Sequence, residues 1–209
     1  MRYSRLTISG GLLLAAIFTG CTTVHDVTID AISDRNKPLG ASYHLEVNDP
    51  TGGVEPALQN TAVEAIRDAL AARGLYEVPA RTKPDMVIEA SYGIGHGYVK
   101  IVTQRNSDIM LGAGLLPPPD SKAVVVYDKT IEITGRAVPD AAGKEGAELW
   151  SVKTKITDTK QQLAPYLDAL ASACIDYIGE NPGRELTLPV DTKNARLLLD
   201  QRPPTQAAN

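Results

Sequence analysis

The sequence predicts an α+β fold, a mostly antiparallel sheet of five to seven strands with two helices packed on one face. Three observations predict it. Residues 56–73 and 159–178 each repeat apolar side chains at helical spacing. Other stretches, most cleanly Trp150 to Thr157, alternate apolar and polar residues at the period of two that a half-buried strand shows. Each helix carries one apolar stripe, so a single sheet face can satisfy both and the other face is left partly exposed.

From the N-terminus, residues 1–20 have the parts of an export signal peptide. Arg2 and Arg5 supply a short positive region, and Leu12, Leu13, Leu14, Ala15, Ala16, Ile17 and Phe18 form the densest apolar run. That run is shorter than the roughly 20 apolar residues a membrane-spanning helix needs, and it suits a cleavable signal. Thr19 and Gly20 are small and directly precede Cys21. Phe18-Thr19-Gly20-Cys21 resembles the lipobox of bacterial lipoproteins, with Phe18 where that pattern prefers leucine. The resemblance implies cleavage just before Cys21 and a lipid on its thiol that ties the chain to a membrane. Each buried CH₂ contributes about 0.8 kcal/mol and one acyl chain holds only marginally, so a cysteine carrying several chains is a firm anchor. In enteric-type lipoproteins an aspartate after the cysteine favours the inner membrane. Thr22 therefore points to a cell-envelope lipoprotein of the outer membrane, facing the periplasm.

Residues 21–41 follow as an N-terminal tether. Within it Val24 to Ser33 is either tether or first strand, because Val27 and Ile29 alternate with Thr28 and Asp30. The α+β domain spans residues 42–179. Tyr43 to Val47 alternates as a strand and ends at Asn48-Asp49-Pro50 and Gly52-Gly53. A helix then runs from Glu55 or Pro56 to Arg73. Pro56 fits its first turn, where a missing N–H costs nothing, and Gly74 is the expected left-handed stop. Leu58, Ala62, Ile66, Ala69 and Leu70 form its apolar face.

Leu75 to Val78 predicts a short strand or turn, Met86 to Tyr92 a strong strand and Tyr98 to Val102 another. The stretch from Thr103 to Lys122 is the least regular, with three consecutive prolines, Pro117 to Pro119. Ala123 to Tyr127 and Thr130 to Val138 predict one bent strand or two continuous ones, and a turn over 140–148 leads into Trp150 to Thr157. Asp158 or Thr159 is the expected cap of the second helix, whose stripe is Leu163, Tyr166, Leu167, Leu170, Cys174, Ile175 and Ile178. Residues 180–209 form a partly disordered tail, in which Leu186, Leu188 and Val190 suit an edge strand.

Charge narrows the partners. The 209 residues carry 21 basic against 25 acidic side chains, and removing residues 1–20 takes away two arginines and no acid. With no basic run anywhere, nucleic acid is excluded as a partner. The second cysteine, Cys174, lies in an apolar helical stripe and, with Cys21 lipidated, has no intrachain disulfide partner; its expected role is packing.

Several segments carry a family likeness. They are Ala69-Leu70-Ala71-Ala72-Arg73-Gly74-Leu75, then Pro84-Asp85, the strand ending Tyr92-Gly93-Ile94-Gly95, and Glu148-Leu149-Trp150-Ser151 opening a later strand. Over residues 42–178 the chain resembles the bacterial lipoproteins grouped as domain of unknown function 4136. The resemblance implies an envelope location and an α+β fold, and brings no catalytic residues with it.

The chemistry-bearing motifs are sparse. Gly93-Ile94-Gly95-His96-Gly97 is followed by strand-like residues rather than a helix, and without a Walker lysine it predicts a strand bend or hairpin, not a phosphate loop. His25, His44 and His96 are not spaced as a zinc pair. Neither Gly-x-Ser-x-Gly nor Ser-x-x-Lys occurs. Asp85, Glu89, Asp128, Glu132 and Asp158 read as solvated carboxylates, and one Trp and one Phe leave few platforms for sugars. No catalytic residue, cofactor or metal is expected. Ile109, Met110, Leu111, Leu115 and Leu116, apolar for a connection, are the expected contact with a partner envelope protein, the bilayer surface or the chain's own sheet. The expected function is a membrane-anchored, non-catalytic binding or scaffolding module. The alternative is a hydrolase or small-ligand or lipid-binding protein whose site assembles only in three dimensions.

Overall fold

The computed structural model describes residues 24–34, 37–48, 56–104, 120–139 and 146–196. Cys21, the signal segment, residues 105–119 with Ile109, Met110, Leu111, Leu115 and Leu116, and the tail beyond residue 196 lie outside these. In chain order the elements are β1 (Val24–Ser33), β2 (Ser42–Asn48), α1 (Pro56–Ala72), β3 (Tyr76–Glu77), β4 (Met86–Ile94) and β5 (Tyr98–Gln104). Then come β6 (Asp120–Ala137), β7 (Glu148–Asp158), α2 (Leu167–Cys174) and β8 (Leu186–Asp191).

The fold is α+β, with a mixed sheet of eight strands in the order β3-β2-β4-β6-β7-β1-β8 and β5 paired to β6. Strands β2 and β3, and β2 and β4, pair in parallel; the remaining pairs are antiparallel. The cause is α1. A helix inserted after β2 carries the chain back across the sheet, so the next strands enter in the same direction. The count exceeds the expected five to seven because the segments left open as tether, turn and tail all join the sheet as β1, β3 and β8. Far from being a loose leader, β1 lies between β7 and β8.

One face of the sheet is apolar. Ile29, Thr154 and Ile131 align across β1, β7 and β6, and Tyr92 of β4 continues that row. Ala31, Val152, Ile133 and Ala90 make the next. These residues form one core with Ala62, Ile66, Ala69 and Leu70 of α1 and Leu167, Leu170 and Cys174 of α2. The opposite face is polar: Arg136 meets Glu89 at 2.8 Å, Lys153 meets Glu132 at 2.8 Å, and the hydroxyls of Thr134 and Ser151 lie 3.1 Å apart. The Lys153–Glu132 pair is exposed, and such a pair contributes little stability. The apolar face and its helices hold the domain.

Two local outcomes differ from the sequence reading or sharpen it. Helix α1 ends where Gly74 takes a φ of 93°, as a glycine stop should. The second helix is much shorter than 159–178, with 3₁₀ turns at Ala164–Tyr166 and Ile175–Tyr177 on either side of α2. Pro165 sits in the opening turn, where it offers no N–H to an earlier carbonyl. Asp158 caps no helix; it closes β7, and its carboxylate accepts the N–H of its neighbour Thr159 at 2.6 Å.

The other feature that positions a site is the length of β6. It is a single strand of 18 residues. Strand β4 follows it up to the Ile94–Lys129 pair, and β5 takes over at the Tyr98–Val126 pair. Between them three residues, Gly95 to Gly97, face two, Tyr127 and Asp128, and the Gly95 N–H donates to the Asp128 carbonyl at 2.7 Å. An extra residue on one strand bends the pair, so the glycine cluster is a strand bend.

Candidate functional site

Beyond Tyr127 toward its N-terminus, β6 pairs only with β5, and the two form a ribbon outside the helix-covered sheet. Directly opposed residues of an antiparallel pair share a face. One ribbon face therefore holds Val99 with Val125 and Ile101 with Ala123; the other holds Lys100 with Val124 and Val102 with Lys122. On the first face Val99 is 67% exposed, Ile101 71% and Val125 50%. Isolated surface apolar residues are ordinary, whereas a row of β-branched ones is an unmet demand for cover. The ribbon is fixed at its root: the Tyr98 hydroxyl donates to Asp128 Oδ1 at 3.1 Å, which also accepts the Thr157 hydroxyl at 2.6 Å.

At the same junction a charged cluster gathers around Lys129, against the 3₁₀ turn that holds Tyr166. Lys129 is wholly buried on the core face, its Nζ donating to the carbonyls of Tyr127 and Asp158 at 3.3 and 3.4 Å and lying 4.9 Å from the centre of the Tyr166 ring. The Tyr166 hydroxyl donates to the Asp158 carboxylate, and the His25 ring meets Tyr166 edge-on at 5.2 Å. Burial holds the Lys129 ammonium below its usual pKa, against the opposing pull of Asp158 and Asp128. Burial also pushes the Asp158 carboxyl up, but the bonds from Tyr166 and Thr159, with Lys129 and His25 nearby, bring it below its ordinary value. Tyr166 is raised, by burial first and then by Asp158. The cluster closes the end of the core with a satisfied cation. Neither of the two clefts described next reaches it.

Those clefts adjoin at the opposite end of the sheet. The larger, about 330 Å³, is lined by residues including Ser33, Lys37, Leu39, Trp150, Glu180 and Asn181; the other, about 260 Å³, shares Ser33 and Trp150. Neither contains His44 or His96, whose company with two carboxylates would have marked an assembled hydrolytic site. His44 instead bonds the Thr82 carbonyl at 2.9 Å.

The structure disperses the other sequence candidates. Glu89 and Glu132 are tied to Arg136 and Lys153, and the Asp85 carboxylate accepts the N–H groups of Ala41 and Ser42 at 3.0 and 2.9 Å, which lowers its pKa. Cys174 is buried against Leu170 and Thr154, and burial pushes its thiol up to about 12. Among the described residues no group of three His, Cys, Asp or Glu could hold a metal ion, and no helix is long and apolar enough to cross a membrane. Sequence reasoning missed the ribbon, although Val99, Ile101 and Val125 flank the apolar connection it singled out. It also missed Lys129, whose signal was a charge at the same strand parity as Ile131 and Ile133.

No protein-family model matches the chain, and no curated protein matches it. Among solved structures it is similar to a PDZ domain protein from Parabacteroides distasonis, with 14% identity and a TM-score of 0.40 over 81% of this chain and 40% of that one. It is also similar to the PelC dodecamer from Paraburkholderia phytofirmans, with 14% identity and a TM-score of 0.38 over 74% of this chain and 99% of that one. The chain thus spans less than half the length of the first. At such TM-scores neither likeness carries an argument.

Proposed function

We propose that the chain is a membrane-anchored envelope lipoprotein of the domain of unknown function 4136 type, held by lipid on Cys21 in the outer membrane and facing the periplasm. Its α+β domain is a non-catalytic module that binds or scaffolds another envelope component. The observation that carries the reading is the β5–β6 ribbon, which among the described residues leaves Val99, Ile101 and Val125 exposed. The segment with Ile109, Met110, Leu111, Leu115 and Leu116 joins the two ribbon strands and extends the same apolar character. The signal-like residues before Cys21 support the anchor.

Two measurements test it. Labelled palmitate enters the wild-type chain and not the Cys21→Ser variant; a variant that still carries lipid removes the anchor. A photocrosslinker in intact cells at position 101 captures envelope neighbours, whereas one at Tyr76, exposed at the other end of the sheet, captures far fewer. Equal capture from both positions would mean the ribbon is not the contact.

A further inference from the structure

We propose that the neighbour of the ribbon is the bilayer itself: β5 and the first half of β6 lay the face of Val99, Ile101 and Val125 into the headgroup layer of the leaflet that the Cys21 lipid enters. The inference rests on the lipid-anchor reading and names the component that this surface touches.

Sheet register carries the argument. Val27, Ile156 and Lys129 are level across β1, β7 and β6, and β1 and β6 both run antiparallel to β7, so they enter the sheet from the same end. Counting outward from that row, Val24 is level with Val126. From Val24 to Cys21 is three residues, a reach of about 10 Å at full extension. From Val126 the ribbon continues six residues to Asp120, about 20 Å of strand. The ribbon thus leaves the domain at the end where the anchor is attached: the Ile101–Ala123 pair is about level with a fully extended Cys21, and the tip at Asp120 reaches about 10 Å farther. A lipid on Cys21 sets the bilayer surface within that reach, and interfacial elements bury their apolar faces about 5–10 Å deep.

Charge agrees with a phospholipid surface. The chain carries a formal net charge of −4, yet the paired ribbon residues 98–104 and 120–126 carry Lys100 and Lys122 against a single carboxylate, Asp120 at the far end. Both lysines sit on the face opposite Val99 and Ile101, where long stems let the ammonium groups reach headgroups while the other face is buried. A second copy of this chain is the weaker occupant. A stable protein interface takes roughly 800 Å² and 20–30 residues a side, far more than this narrow face offers, whereas a contact that supplements an anchor needs much less.

The test uses the full lipoprotein in vesicles of phosphatidylethanolamine and phosphatidylglycerol. A nitroxide is placed by Ile101→Cys in one sample and Tyr76→Cys in another; Cys174 is buried and does not react. The Ile101 label should be open to oxygen and shielded from a water-soluble nickel chelate, and the Tyr76 label should be open to the chelate. An acylated chain whose Ile101 label meets the chelate as freely as Tyr76 overturns the bilayer contact and leaves the anchor intact. Label-to-label broadening would assign the face to a second copy, and immobilisation only on adding envelope proteins would assign it to one of them; either result overturns the proposal. Mass spectrometry of Cys21 reads the anchor separately. If Cys21 is unmodified, the anchor reading fails, and vesicle co-sedimentation decides the ribbon. The Val99→Asp, Ile101→Asp double variant should then bind at least about tenfold more weakly with an unchanged melting temperature, since both sites are exposed. Equal binding overturns the contact.

Discussion

The two halves of β6 are built from similar residues and meet opposite fates. From Lys129 onward the strand lies between β4 and β7, and Ile131 and Ile133 are wholly buried. Before it, Val125 is just as β-branched but has only β5 beside it and stands half exposed. Composition does not separate the halves; cover does. Helix α2 lies over the second half of the strand; in the first half Val126 is buried, but among the described residues the face of Val99, Ile101 and Val125 is open. Lys129 marks the boundary, a buried cation with the ring of Tyr166 against it.

The largest test of this contrast is Trp150→Ala. The indole packs so closely on β6 that a Cβ added at Gly135 would lie 2.3 Å from its Nε1. Removing it should cost about 3–5 kcal/mol in urea unfolding. Within β6 itself, Ile133→Ala should cost about 2–5 kcal/mol, while Val125→Ala should stay within about 0.5 kcal/mol. Comparable losses at the two sites would break the comparison, because the ribbon would then be contributing to the folded core.

Alkali should act on the body alone. Burial raises Cys174 from 9.0 to about 12, and burial with Glu77 raises Tyr43 from 10.0 to about 12. A raised pKa means the unfolded chain releases its proton first, so each group's contribution is intact below its unfolded value and is lost as pH climbs toward 12. Stability should fall from about pH 9, by up to roughly 1.4 kcal/mol per pH unit for each such group, and Cys174→Ala should remove one proton from that slope. Lys129 works in the other direction. Its pKa is lowered from 10.5, so its contribution grows as pH rises toward that value. The polar face should also respond weakly: Lys153→Ala should cost at most about 1 kcal/mol, because its pair with Glu132 is solvent-exposed.

Much of the body was legible in the sequence. Alternation located β2, β4 and β7, and helical spacing with Gly74 bounded α1. What escaped depends on partners remote in the chain. Parallel pairing around β2 follows from α1 standing between neighbouring strands, a consequence visible only once those strands are known to be neighbours. Pro165 shortened α2 against a strong apolar stripe, because backbone geometry overrode periodicity. Of the site, the alternating apolar residues of the ribbon looked like those of any half-buried strand. Alternation says which side chains share a face and not whether a helix covers it. Cys21 and the apolar residues 109–116 fall outside the described residues.

The margins of the sheet have a consequence for handling this protein. One outer strand, β3, is two residues long, and the other, β8, carries Pro189, which cannot donate to a ladder; neither offers much to an incoming strand. Strand β5 runs seven residues without a proline. Among the described residues it hydrogen-bonds on one side only, through β6. Concentrated in water, the chain should precipitate by stacking through β5. A lysine in place of Ile101 would act as a gatekeeper there, yielding a soluble domain for crystallisation with its core unchanged.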